Sequence, residues 1–175
     1  KRQVHNTTMP AGNYTVQVSG VGGATGTVIA ELYDATPSAS FTPATPRLIN
    51  VSVLKQISAG EILTAGFVIG GSGSKQVLVR AVGPTLGLVP FNIPGVMADP
   101  KIDLFSGQTV IASNDNWGGG AALASAFASV GAFALGATSK DAALLVTLAP
   151  GNYPAQVSSV NNTGGSAIVE VYEVP

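Results

Sequence analysis

The chain repeats itself. Gly12–Ala35, GNYTVQVSGVGGATGTVIAELYDA, aligns without a gap on Gly151–Val174, GNYPAQVSSVNNTGGSAIVEVYEV, at an offset of 139 residues. Of the 24 paired positions 11 are identical, among them Gly12/Gly151, Tyr14/Tyr153, Val18/Val157, Gly26/Gly165, Glu31/Glu170 and Tyr33/Tyr172. Self-similarity at a fixed offset is the signature of repeat architecture, and here it is asymmetric. Residues 47–175 read as one whole repeat, and residues 1–34 as only the end of another. Between them residues 35–46, ATPSASFTPATP, read as a linker that Pro37, Pro43 and Pro46 bias towards extended chain. Such a linker could span up to about 37 Å. The chain opens on Lys1 rather than Met, and two readings stand: a window on a longer tandem protein, or an orphan hairpin that docks elsewhere.

Period-2 alternation dominates the repeated segment. In Tyr14-Thr15-Val16-Gln17-Val18-Ser19 the apolar residues would line one face and the polar ones the other. Gly22-Gly23-Ala24-Thr25-Gly26 supplies a turn, and Thr27–Asp34 puts Val28, Ala30 and Leu32 on one face. Glu31 and Tyr33 take the other, half-exposed face. This predicts an antiparallel hairpin over 13–34 and a matching one over 152–173, with Val16, Val18, Val28 and Leu32 buried like Ala155, Val157, Ala167 and Val171. Further strands are predicted at 48–54, 62–69, 76–82, 101–105, 109–113 and 143–148, and a short helix over 121–130. Many short strands with Gly-rich turns predict an all-β chain. The expected fold is an antiparallel β-sandwich, jelly-roll or immunoglobulin-like, with an additional N-terminal hairpin repeating the C-terminal one.

Composition removes several functions. Only 10% of residues are charged, against a usual share of about 25%, and the net charge is -1. Without a basic excess a nucleic-acid partner is not expected. No run of about 18 apolar residues predicts a membrane span. There is no cysteine, so the chain is not a disulfide-stapled scaffold. His5 is the only histidine and lies outside the whole repeat, which argues against a Ser-His-Asp set and against zinc. Gly70-Gly71-Ser72-Gly73-Ser74-Lys75 lacks phosphate-loop spacing and opens a strand, not a helix. The chain is therefore expected not to be an enzyme.

The most polar cluster is Asn114-Asp115-Asn116-Trp117-Gly118-Gly119. Asp115 and Asn114, with Asp103 contributing from the neighbouring strand, form a candidate calcium site built from hard oxygen ligands. Asp99 and Asp141 are further candidates. The alternative is an Asx turn opening a loop. Trp117, the only tryptophan, with Asn116 forms a candidate glycan contact. The alternative places the indole as a lid over the end of the core. No other cofactor is expected.

Ile102-Asp103-Leu104-Phe105, Ser106-Gly107-Gln108, Val110–Asp115 and then Pro150-Gly151-Asn152-Tyr153 resemble, in that order, a bacterial pattern. It is similar to that of pre-peptidase C-terminal-type domains and related tandem β-sandwich repeats of large secreted proteins. Those modules carry a D-x-L-x-L/F strand, a short turn, a strand ending in S-N/D-D, and a P-G-x-Y strand. The resemblance covers 102–174, with a second copy of its end at 12–34. It implies a jelly-roll-like sandwich, secretion, and a non-catalytic accessory or surface role. Some domains of that type bind calcium, and Asp115 falls where their pattern carries an acid.

The expected function is a structural subunit or repeat of an extracellular filament or cell-surface protein, assembling by strand addition. The alternative is a carbohydrate-binding or accessory module of a secreted bacterial enzyme. The expected partner is another copy or a neighbouring repeat. Tyr14, Val16, Val18, Val28, Ala30 and Leu32 would carry the assembly, because an isolated hairpin is marginal in water and needs a partner for its apolar face. The near-zero net charge leaves little repulsion between copies.

Overall fold

The computed structural model describes residues 4–175, which divide into two compact units at Leu48/Ile49. The second unit is an antiparallel β-sandwich with eight strands: β1 (Asn50–Ile57), β2 (Leu63–Ile69), β3 (Lys75–Val82), β4 (Pro100–Ser106), β5 (Thr109–Asn114), β6 (Ala142–Leu148), β7 (Gly151–Ser159) and β8 (Gly165–Val174). One helix, α1 (Ala121–Ser129), lies between β5 and β6. One sheet has the order β1-β8-β3-β6 and the other β2-β7-β4-β5.

The strand orders carry the main topological finding. Only β4 and β5 are joined as a hairpin, around Gly107 in the left-handed region (φ 59°). Every other connection carries the chain from one sheet to the other. The expected C-terminal hairpin is therefore an arch. β7 pairs with β2 and β4, β8 pairs with β1 and β3, and the two arms face each other across the core. Alternation alone cannot separate these cases, since both a hairpin arm and an arch arm need one apolar face.

Between the sheets lie Val77, Val79, Ile102, Leu104, Ala155, Val157, Ala167 and Val169, all buried. The outward face of the β1-β8-β3-β6 sheet is also covered. Leu78, Val82, Leu86, Trp117, Phe127, Leu135 and Ala143 form a second apolar layer there. This is why β3 is buried from Val77 to Val82 on both of its faces, as its apolar run, broken only by Arg80, requires. The face expected to be half-exposed on β8, carrying Glu170 and Tyr172, lies within this second layer. Glu170 is buried and Tyr172 half-buried.

The Pro-rich excursion between β3 and β4 closes one end of the sandwich. Met97 donates its N–H to Ser166 O at 2.9 Å, and Ser166 donates to Gly95 O at 2.8 Å. Gly165 (φ 159°) allows this approach, since a Cβ there would stand 2.3 Å from Met97 N.

In the first unit the expected hairpin is not formed. Among its described residues no strand is present, and the regular elements are two short 3-10 turns, Val21–Gly23 and Ser38–Ser40. Val16, Val18, Val28 and Leu32, expected to be buried, are more than half exposed, whereas Ala155, Val157, Ala167 and Val171 are buried. The linker is not straight. Ser40 N donates to Pro37 O at 2.8 Å and Thr45 N to Thr42 O at 3.0 Å, so two tight turns shorten its reach.

Candidate functional site

Residues 10–34 lack a ladder yet reproduce the C-terminal arch in local detail. Tyr14 donates its hydroxyl to Pro10 O at 2.8 Å, and its counterpart Tyr153 donates to Ala149 O at 2.9 Å. Both bonds close a corner four residues long, and both tyrosine rings pack over a glycine, Gly12 or Gly151. Gly26 and Gly165 share a rare backbone angle, φ 157° and 159°. Tyr33 donates to Glu31 Oε1 at 3.1 Å, and Tyr172 to Glu170 Oε1 at 2.8 Å. At these points the 139-residue repeat extends to local geometry, although only the second copy forms strands.

The surroundings differ. Glu170 Oε2 lies 3.0 Å from Arg80 Nε, and the arginine side chain is wholly buried. Its guanidinium stands over Phe127 and Phe133, at 4.7 and 4.3 Å from the ring centroids, and donates to Phe133 O at 2.7 Å. Burial lowers the arginine's pKa, and the Glu170 charge opposes that shift. Burial, then the Glu170 charge, pushes the Tyr172 phenol well above its usual value. Glu31 and Tyr33 are exposed. Tyr14, Val16, Val18, Val28, Ala30 and Leu32, for which the sequence suggested an assembly role, are likewise exposed.

The candidate metal residues are each engaged locally. Asp103 accepts from Ser113 Oγ at 2.7 Å and pairs with Lys101 Nζ at 2.9 Å. Asn114 Oδ1 accepts the Ala143 N–H at 3.0 Å, and its amide nitrogen donates to Asn116 O at 2.9 Å. Asp115 is exposed. Asp141, wholly buried, accepts the Gly83 N–H at 2.9 Å and the hydroxyl of Thr85, and so ties the end of β3 to the start of β6. Asp99 is held by Lys140. Among the described residues no three His, Cys, Asp or Glu side chains gather around one point.

Trp117 sits as a lid. It is 7% exposed, its ring lies 5.3 Å from that of Phe127, and its Nε1–H donates to Gly136 O at 2.8 Å. Trp117 is thus buried while its candidate partner Asn116 stays exposed. Sequence reading missed Arg80, and it offered Asp141 only as a metal ligand rather than as the tie between β3 and β6. For Arg80 a signal existed, namely a lone charge inside the apolar run Val77–Val82.

No protein-family model matches the chain, and no curated protein matches it. Among solved structures it is similar to the pre-peptidase C-terminal domain of a collagenase from Bacillus anthracis. The identity is 13% and the TM-score 0.42, over 70% of this chain and 89% of that one.

Proposed function

We propose that this chain is a non-enzymatic structural subunit or repeat of an extracellular filament or cell-surface protein, and that it assembles through strand addition. One observation carries the reading. Residues 10–34 carry the sequence of the sandwich-closing arch, its tyrosine corner and its glycine angle without forming its strands, while Val16, Val18, Val28 and Leu32 stay exposed where their counterparts are buried. A segment of this kind gains free energy by docking, at roughly 25 cal/mol per Å² of apolar surface removed from water.

The buried polar groups support a structural role. Arg80, Glu170 and Asp141 are committed to holding β3, β6 and β8 together. Among the described residues no helix is long and apolar enough to cross a membrane.

The test is deletion of residues 1–34. Sedimentation velocity over a wide concentration range should show oligomers for the whole chain and none for the shortened one. Circular dichroism of the shortened chain should keep the sandwich signature. A whole chain that stays monomeric at every concentration would overturn the reading.

A further inference from the structure

Resting on that reading, we infer where the arch docks: the free edges of β1 and β2 on a second copy of this chain accept residues 10–34, which add one strand to each sheet.

The sandwich is unfinished on that side. β1 and β2 are the edge strands of the two sheets and lie on the same flank of the β7–β8 arch. In an antiparallel ladder, residues directly opposite each other project to the same face. Val51 and Val53 stand opposite Val171 and Val169, and so point towards the core. Val51 is nonetheless half-buried and Val53 is 41% exposed. On β2, Leu63 and Phe67 stand opposite the core residues Val157 and Tyr153, and they too are only half-buried.

Strand direction selects the occupant. β1 is antiparallel to β8, and β2 is antiparallel to β7. A strand added antiparallel to β1 would run in the direction of β8, and one added to β2 in that of β7. The two edges therefore accept a second β7–β8 arch in the resident's orientation, moved outward by two strand spacings, about 9.5 Å. Residues 10–34 carry the sequence of such an arch, with its tyrosine corner and glycine angle already in place, and would form its two strands on docking. The resident position is already filled by β7 and β8, so the incoming arch extends the sheets and displaces nothing. Its row of Val28, Ala30 and Leu32 would meet the row of Val51 and Val53. The resident register transposed by 139 residues sets Ala30 opposite Val53. Donor and acceptor are different surfaces, so the contact does not close on itself and propagates as a fibre.

The chain contains no cysteine, so introduced thiols are unique. Whole chains carrying Ala30→Cys are mixed with whole chains carrying Val53→Cys under mild oxidation. The expected product is a mixed disulfide dimer, formed at least tenfold faster than either like pair. Val28→Asp on the exposed donor segment should abolish both the cross-link and the oligomers without touching the sandwich. If oligomers form but the mixed pair gains no rate over the like pairs, this acceptor edge is wrong and the assembly reading stands. If no oligomers form at any concentration, both fall. If a chain carrying both substitutions closes an internal disulfide and stays monomeric, docking between copies is overturned.

Discussion

Arg80 Nε and Glu170 Oε2 stand 3.0 Å apart beneath a lid of aromatic rings, on neighbouring strands β3 and β8. The guanidinium is stacked on Phe127 and Phe133. Removing one partner leaves the other charge buried, which costs more than the pair contributes when intact. Glu170→Gln should lower unfolding stability by about 3 kcal/mol. Replacing both residues, Arg80→Met with Glu170→Leu, should recover much of that loss. Urea denaturation of the three proteins checks the ordering, and a double variant less stable than Glu170→Gln would contradict it.

Tyr172 makes stability fall at high pH. Its phenol is raised by burial first and by Glu170 second, so the folded chain holds the proton more tightly than the unfolded chain. That contribution is complete below about pH 10, the ordinary tyrosine value. It is lost as pH rises beyond that towards the folded value. Urea midpoints measured between about pH 8 and about pH 11 should fall at the upper end for the native chain, and fall less for Tyr172→Phe. Parallel curves would assign the alkaline loss to other groups.

The same substitution at two repeat-related positions should do opposite things. Val157 is wholly buried between the sheets and its counterpart Val18 is 56% exposed. Val157→Asp should destabilise the sandwich by about 4 kcal/mol or more, because an unpaired carboxylate enters the core. Val18→Asp should change thermal stability by less than about 0.5 kcal/mol while suppressing oligomers. Calorimetry and sedimentation on both variants separate the two effects.

Calcium should leave the sandwich unaffected. Lys101 and Ser113 already engage Asp103, and backbone groups engage Asn114, so a cation near Asp115 would have to break those bonds first. Melting curves with chelator and with added calcium should coincide, and Asp115→Ala should change neither. A calcium-dependent rise in melting temperature that vanishes in Asp115→Ala would contradict this and assign Asp115 the ligand role.

Sequence alone determined the repeat and the strand content of residues 49–175, whereas the strands expected over 13–34 are not formed. The alternation in Tyr153–Ser159 located β7, and the helix over 121–130 ends one residue early, at Ser129. The Gly12/Gly151, Tyr14/Tyr153 and Gly26/Gly165 matches located a corner and a glycine conformation that both copies share. These are properties of neighbouring residues, so neighbouring residues encode them. Tertiary structure decided which sheet each strand joins. A period of two says that one face is buried and is silent about the strand beside it, so the arch at 159–165 read as a hairpin. It also decided the partner of Arg80, because Glu170 lies 90 residues away and meets it only through the β3–β8 ladder. The covering of the outer sheet face by Trp117 and Phe127 was hidden for the same reason. A side chain's burial depends on what the rest of the chain places against it. For Val18 and Val157 that one difference separates an exposed residue from a buried one at equivalent positions of the repeat.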